Sequence, residues 1–332
     1  MASYFENSSD TLVPDALKGF ALAHADIVTL DPVHGFLLAR DAAPARRVGL
    51  LSGGGAGHEP MHAGYVGRGM LDAACPGRVF ASPHNSQIYE ASLAAARPAG
   101  VLHIVKNYTG DRINFGIAAE RLAHRGVPCA RVLVDDDLAS DCDDIASGRR
   151  GTGGTVLIEK ILGGAADTGA GLDDLRQLGE RLAARCRTLA VASAAHTSPA
   201  LGEPAFRLGP DEIEYGVGIH GERARRTAKQ DPVGRLVERM TDELLTALAP
   251  EPGSALLVLV NGLGAVTPLE LYAVHGELAR VLRARGFPVA RRLVGEYATA
   301  LDMRGFSLTL LVADPADVLH YDAPVRTAAL HW

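Results

Sequence analysis

The sequence predicts an α/β protein of two domains, with an N-terminal, mostly parallel sheet flanked by helices and a C-terminal mixed α+β sheet domain. Its 332 residues exceed the usual size of a single hydrophobic core. In the first half, short apolar runs alternate with helical patterns, which is typical of parallel strands connected by helices. In the second half, strands are more frequent, and one of them alternates polar and apolar residues. We place the boundary near residue 184, which gives domains of 1–184 and 185–332.

The N-terminal strands are predicted from short apolar segments that each end in a polar or glycine-rich turn. Residues 48–51, 101–105 and 130–134 have this form. Alanine-rich segments with helical spacing, 87–97 and 115–125, lie between them. Because ligands bind beyond the carboxyl ends of parallel strands, we expect the turns after these strands to form a functional site.

The pattern changes in character after Cys186. Two helices are predicted before this residue, at 155–162 and 172–185, and the second is strongly amphipathic. Beyond it, the apolar spacing predicts strands and helices in mixed order: strands at 188–192, 212–219, 255–260, 289–294 and 307–312, and helices at 233–248 and 268–285. This mixture is the reason for the predicted α+β class of the C-terminal domain.

The composition is that of a folded protein without a nucleic-acid partner. Hydrophobic residues make up 47% of the chain and charged residues 22%, and the net charge of −6 gives no basic footprint. The cysteines Cys75, Cys129, Cys142 and Cys186 lack metal-binding spacing, which indicates free thiols in a reducing compartment. The sequence shows no secretory signal and no apolar stretch of the ~20 residues that span a membrane. We therefore expect a cytoplasmic protein with no membrane partner.

The densest candidate segment runs from residue 52 to residue 60, directly after the first predicted strand. Four glycines within residues 53–57 allow backbone amides to approach a ligand closely. The segment matches neither the GxGxxG of dinucleotide-binding folds nor the GxxxxGK, followed by Ser or Thr, of a Walker A loop. A tight structural turn is the alternative interpretation, and His58 within the segment favours a site.

His58 and His62 also satisfy the H-E-x-x-H pattern of zinc proteases. That pattern binds zinc only within a regular helix, where residues i and i+4 share a face. Pro60 is tolerated only in the first turn of a helix, and no third ligand follows at a zincin spacing. We interpret the pattern as a chance match and predict no metal site in this chain.

Two further segments combine reactive side chains with small or polar neighbours. Lys106 and Asp111 share a loop after a predicted strand, and a base beside a cation suits a hydroxyl that accepts a phosphoryl group. His220 ends a predicted strand between glycines, which would leave its imidazole accessible as a nucleophile or proton carrier. Spacing alone leaves open a surface ion pair for the first segment and a structural histidine for the second.

Together, these three segments resemble the substrate-binding (K) subunit of the dihydroxyacetone kinase family. The resemblance extends from about Asp15 to Trp332 and rests on the ordered agreement of several motifs. The further matching stretches are residues 74–77, 148–151, 155–160, 301–307 and 322–325. The resemblance implies a two-domain α/β fold, a homodimer and a kinase that phosphorylates dihydroxyacetone.

The resemblance also implies a role for each candidate residue. His220 would form a hemiaminal with the ketone carbon of the substrate. The residues that would line the bound triose are Gly55, Ala56, Gly57, His58, Lys106 and Asp111. Asp111 would act as the base for the phosphorylated hydroxyl, and His58 as the acid/base for the hemiaminal. A reversible covalent bond would select ketones chemically, since hydrogen bonds in a small site discriminate weakly between dihydroxyacetone and glycerol.

By the same resemblance, the phosphate donor belongs to another protein. We expect no cofactor in this chain and a separate nucleotide-binding (L-type) subunit that holds ADP or ATP with magnesium. The motifs leave open whether a phosphotransferase-system protein recharges that nucleotide or ATP replaces it.

Two stretches depart from the family pattern. Residues 82–87 lack the acidic residue expected just before Gln87, and Arg223, Ala224, Arg225 and Arg226 replace a turn that contains Pro-Gly. The first departure leaves the preferred triose or tetrose open, and the second concerns docking of the partner or the shape of a lid.

Two other functions fit the same motifs. One is a ketose-sensing regulator that transfers no phosphate, and the other is a kinase subunit for a different ketose such as erythrulose. A sensor needs His220 but no base, so the presence of Asp111 favours the kinase.

Overall fold

The computed structural model describes residues 4–141, 148–222 and 226–332. Residues 223–225 of the second departure and Cys142 therefore lie outside the described residues. The helices, labelled in chain order, are α1 Leu12–Ala23, α2 Asn85–Ala95, α3 Thr109–His124, α4 Gly154–Asp167, α5 Leu172–Ala184, α6 Val233–Leu248, α7 Pro268–Ala284 and α8 Pro315–Asp322.

Two six-stranded sheets and one two-stranded sheet are present in the described part of the chain. The strands are β1 Val28–Leu30, β2 Leu37–Ala39, β3 Gly49–Ala56, β4 Gly67–Arg68, β5 Ala73–Val79, β6 Val101–Lys106, β7 Cys129–Val134, β8 Cys186–Ala194, β9 Glu212–Tyr215, β10 Arg226–Lys229, β11 Leu256–Gly262, β12 Val289–Gly295, β13 Arg304–Val312 and β14 Arg326–Thr327.

The chain folds into two compact units. Among the described residues, the first unit contains Phe5–Val134, Ile158–Arg181 and Leu319–Trp332, and the second contains Tyr4 and residues 135–141, 148–157, 182–222 and 226–318. The boundary predicted at residue 184 lies beside one of the points where the chain passes from one unit to the other. Each unit therefore draws on separated stretches of chain, and the division into 1–184 and 185–332 stays a prediction.

The sheet of the first unit has the strand order β1-β2-β5-β3-β6-β7. Strands β5, β3, β6 and β7 pair in parallel, and only β1 and β2 run antiparallel to their neighbours. Helices α2 and α3 cover an apolar cluster that includes Leu51, Ile88, Val105 and Phe115, all essentially buried. The predicted parallel sheet flanked by helices is thus confirmed.

The sheet of the second unit has the order β10-β9-β8-β13-β11-β12. Only β11 and β12 pair in parallel, and the other neighbours are antiparallel. Helices α6 and α7 bury Val237, Met240 and Leu278 against strand residues such as Val258 and Leu308. This arrangement confirms the predicted mixed α+β class.

Local sequence signals explain why some element boundaries were predicted closely and others were not. Helix α7 begins where expected because Thr267 and Glu270 form a capping box around Pro268. Strand β9 ends earlier than the predicted 212–219, because Gly216 has a φ of +92° and turns the chain away from the sheet. Strand β5 was not predicted, since its Pro76 and Gly77 disfavour a strand interior.

The described cysteines Cys75, Cys129 and Cys186 are free thiols, in line with the expectation. Among the described residues, no helix is long and apolar enough to cross a lipid bilayer.

Candidate functional site

The glycine segment forms the end of β3, a fully buried strand between β5 and β6. A Cβ on Gly53 would lie 2.6 Å from the carbonyl oxygen of Cys75, and a Cβ on Gly55 would lie 2.7 Å from the backbone at Phe80. Gly57 then leaves the strand with a φ of +98°. These glycines are needed for close approach within the protein itself, in addition to any approach to a ligand.

Lys106 ends β6, next to β3, and only 1% of it is exposed. A Cβ on Gly54 would lie 2.5 Å from its Nζ atom. Because Gly54 has no side chain, the ammonium group of Lys106 can lie close to its backbone. Such a buried cation, held over a strand end, can bind a ligand oxygen.

Asp111 lies in the first turn of α3 and is 3% exposed. The positive end of the helix dipole favours a carboxylate at this position. Its Oδ1 atom has no hydrogen-bond partner among the described residues. A buried acceptor of this kind is suited to a proton donor on a ligand.

His58 is fully buried directly after β3, and its ring stacks on Phe80 with ring centroids 5.0 Å apart. The adjacent Glu59 carboxylate accepts hydrogen bonds from the backbone N–H of Gly57 at 3.0 and 3.2 Å. The segment forms a turn instead of a helix. Across the described residues, no group of three or more His, Cys, Asp or Glu side chains could hold a metal ion.

The departure at residues 82–87 has a structural role. His84 is the N-cap of α2, and its Nδ1 atom accepts a hydrogen bond from the backbone N–H of Ser86. Gln87 donates from its Nε2 atom to the carbonyl oxygens of Gly35 and Pro76. Histidine thus supplies the helix cap in a stretch where an acidic residue was expected.

His220 belongs to the second unit, in a turn that follows β9. Its Nδ1 atom lies 3.1 Å from Oε1 of Glu222, and its backbone N–H donates to Oε2 of the same carboxylate at 3.0 Å. About a fifth of the side chain is exposed, at 19%. The Glu222 carboxylate therefore helps to orient the imidazole, which is partly accessible from solvent.

The electrostatics of Glu222 fix the tautomer of this imidazole. Burial opposes ionisation of Glu222, but the hydrogen bond from His220 and the positive charges of His220 and Arg150 outweigh it and lower the pKa to about 2. Arg150 lies 3.6 Å from Glu222 and is itself held by Asp137 at 2.6 Å. Since an ionised carboxylate only accepts hydrogen bonds, a neutral His220 carries its proton on Nδ1 and keeps a lone pair on Nε2.

Glycines beside His220 leave room for this arrangement. A Cβ on Gly218 would overlap the Glu222 carboxylate and the Arg150 guanidinium. A Cβ on Gly221 would overlap the ring of His196, and Gly221 has a φ of +77°. The glycines therefore serve the packing around His220 as well as access to it.

The structure thus brings the glycine segment, His58, Lys106 and Asp111 into the first unit, and places His220 in the second. Sequence reasoning missed Glu222 as the partner of His220, Arg150 as the partner of Glu222, and Glu159 as the partner of His62. The H-x-E spacing from His220 to Glu222 was a signal that could have been used. Glu159 carries no such signal, because it is 97 residues away from His62.

The fold and these polar groups define an α/β protein of two compact units, one with a carboxylate-paired histidine and one with buried charged side chains at strand and helix ends. Residues 18–329 match the Dak1 domain, and the chain belongs to this family.

Three known proteins show how widely this similarity extends. The dihydroxyacetone-binding subunit DhaK of PTS-dependent dihydroxyacetone kinase 1 from Listeria innocua is 45% identical over 97% of this chain and 98% of its own. The structure of the dihydroxyacetone kinase of C. freundii superposes with a TM-score of 0.89, at 36% identity over 99% of this chain and 60% of that one. A dihydroxyacetone kinase operon co-activator has a TM-score of 0.88, at 33% identity over 95% of this chain and 96% of its own.

Proposed function

We propose that the chain is the substrate-binding subunit of a dihydroxyacetone kinase, which binds the ketose as a hemiaminal on His220 for phosphorylation by a separate nucleotide-binding subunit. The observation that carries the proposal is the pairing of Nδ1 of His220 with an ionised Glu222, which leaves the Nε2 lone pair of the neutral imidazole as the nucleophile.

The covalent step balances with the groups that are present. Nε2 of His220 forms a bond to the ketone carbon, and the π electrons of the carbonyl move to its oxygen, which takes up a proton. We assign His58 as the acid that supplies this proton. The positive charge that develops on the imidazole is stabilised by Glu222, at 3.1 Å from Nδ1. The reverse proton movements release the ketose.

Phosphoryl transfer requires a base for the attacking hydroxyl, and we assign this role to Asp111. Its buried Oδ1 atom lacks a partner within the described residues and can accept the hydroxyl proton. Lys106 and the backbone of Gly55, Ala56 and Gly57 are assigned to hold the substrate oxygens. ADP or ATP with magnesium is assigned to the partner subunit, and the protein is proposed to act as a homodimer.

A second candidate function is that of a ketose sensor. It is favoured by the similarity to the operon co-activator, which extends over 95% of this chain. A sensor and a kinase subunit would both form the adduct, and only the kinase subunit would transfer phosphate when its partner is supplied.

The proposal is tested with carbonyl-¹³C dihydroxyacetone and NMR. We expect a protein-bound tetrahedral carbon with the wild type and with the control His275→Ala, a histidine on α7 in the same unit. His220→Ala should show only the free carbonyl. A bound tetrahedral carbon in His220→Ala, or none in the wild type, would overturn the assignment.

A further inference from the structure

His62 and Glu159 form a buried polar pair in the first unit that the proposed mechanism does not use. Nδ1 of His62 lies 2.7 Å from Oε1 of Glu159. His62 is 5% exposed, and Glu159, on α4, is fully buried. Burying two ionisable side chains is costly unless they are paired, so this contact fixes the orientation of the imidazole.

The other ring nitrogen of His62 points to the place where Lys106 lies. A Cβ on Gly54 would be 2.5 Å from Nζ of Lys106 and 3.6 Å from Nε2 of His62. Both nitrogens therefore face the same bare stretch of backbone in the glycine segment. Nε2 of His62 is buried and has no hydrogen-bond partner among the described residues. Leaving such an atom unsatisfied destabilises the folded protein, which calls for a ligand or another compensating contact.

Burial and three nearby charged groups together set the protonation state of the imidazole. Burial is the largest influence and lowers the pKa of His62, Lys106 lowers it further, and Glu159 and Asp111 oppose this. The net effect is a lowered pKa, so that the imidazole is neutral near pH 7. With the proton on Nδ1 directed at Glu159, Nε2 presents a lone pair and can only accept a hydrogen bond.

We propose that His62 is a specificity-determining residue, whose Nε2 atom accepts a hydrogen bond from a hydroxyl group of the bound ketose beside Lys106. This inference rests on the proposed function. A hydroxyl can donate to Nε2 of His62 and accept from the Lys106 ammonium, which a carbonyl or methyl group cannot do. The second histidine of the H-E-x-x-H pattern thus binds a substrate hydroxyl. Glu159 is the residue that positions the His62 imidazole.

The test compares dihydroxyacetone with hydroxyacetone, which lacks one hydroxyl. We expect His62→Leu to reduce the affinity ratio between the two ketoses about tenfold, which is the value of one good hydrogen bond. His62→Gln keeps an acceptor and should retain part of the ratio. The matched control is His103→Gln, because His103 is also fully buried in this unit but contacts Ser92 at 2.8 Å.

A second measurement observes ligand binding in the wild type. With ¹⁵N-labelled histidine, the unprotonated nitrogen of His62, assigned by its loss in His62→Gln, should shift when dihydroxyacetone binds to the wild type. Two outcomes would overturn the inference, provided that the tetrahedral carbon forms normally. One is an unchanged chemical shift of this nitrogen, and the other is a wild-type affinity ratio between the two ketoses in His62→Leu. Either would be expected if only water filled the space beside Nε2. Absence of the tetrahedral carbon in the wild type would instead refute the proposed function.

Discussion

Nδ1 of His220 and Oε1 of Glu222 lie 3.1 Å apart, and the second oxygen of this carboxylate binds the backbone N–H of the same histidine. One acidic side chain, two positions further along the chain, therefore holds both the ring and its backbone. Because the pKa of Glu222 is lowered to about 2, the carboxylate stays charged throughout the range in which the protein would work.

Replacement of Glu222 by Gln should weaken ketose binding without removing the nucleophile. Hydrogen bonds to charged groups contribute about 1.5–3 kcal/mol, so we expect the dissociation constant to rise at least about tenfold. The measurement is a titration of the ¹³C adduct. Glu203→Gln, an exposed glutamate of the same unit, is the control and should bind normally. Wild-type affinity in Glu222→Gln would show that tautomer control is not needed.

The pH dependence of binding follows from the same carboxylate. Because the pKa of Glu222 is depressed, its carboxylate is fully ionised above the ordinary pKa of 4.5. Its contribution to ketose binding is lost only as the pH falls towards about 2. We therefore expect the carboxyl carbon of Glu222, followed by ¹³C NMR, to keep the chemical shift of an ionised carboxylate between pH 5 and pH 8. A carboxyl signal that titrates within this interval would contradict the charge state assigned to Glu222.

Replacement of Asp111 by Asn should separate binding from transfer. The amide keeps the size of the side chain but cannot take a proton, and loss of a general base typically costs about 10²–10⁴ in rate. We expect the ¹³C adduct to form within a few-fold of wild-type affinity, while turnover with a nucleotide-binding subunit, ATP and Mg²⁺ falls by about that factor. Glu120→Gln, exposed on the same helix, should leave both unchanged. Normal turnover in Asp111→Asn would remove the assigned base.

A methyl group on Gly54 should move Lys106. The new Cβ would lie 2.5 Å from Nζ, and the far end of the lysine side chain can shift at little cost in stability. We expect Gly54→Ala to fold with a similar melting temperature and to bind dihydroxyacetone at least about tenfold more weakly, as for loss of a charged hydrogen bond. Gly116→Ala on α3 is the control, since a Cβ there meets nothing within 4 Å. Unchanged binding in Gly54→Ala would mean that the position of Lys106 is not used.

Lys160 should make the stability of the protein depend on pH in the alkaline range. It is fully buried, and burial lowers its pKa to about 8, against the opposing charges of Asp167 and Asp322. Between pH 8 and the unfolded value of 10.5, the unfolded chain holds a proton that the folded chain has released, so the folded state gains stability as pH rises.

Urea unfolding of the wild type and Lys160→Met at several pH values measures this effect. The free energy of unfolding of the wild type should rise relative to the variant from pH 8 to pH 10. The reference is Lys18→Met, at an exposed position. The free energy of unfolding of this variant should differ from that of the wild type by the same amount at every pH. If the difference in unfolding free energy between the wild type and Lys160→Met does not change with pH, the buried amine keeps an ordinary pKa.

Much of the fold could be predicted because burial imposes regular spacing on the sequence. Helix α6 coincides with the predicted 233–248, and β6 and β7 differ from the predicted strands by one residue at one end. Helix α3 begins six positions before the predicted 115, because its first turn carries Asp111 and other polar residues that break the apolar pattern. Short edge strands such as β1 were missed, since three residues are too few to show a period.

The sequence by itself was enough to predict the class of fold and the family, and it supplied the candidate site residues, because apolar spacing and ordered motifs are local properties of the chain. Only the tertiary structure decided that His62 meets Glu159 and that Glu222 meets Arg150. Spacing reports which residues are buried, but the pairing of distant side chains depends on how buried segments pack. The charge, tautomer and orientation of an imidazole follow from that packing, and with them the chemistry that each histidine can perform.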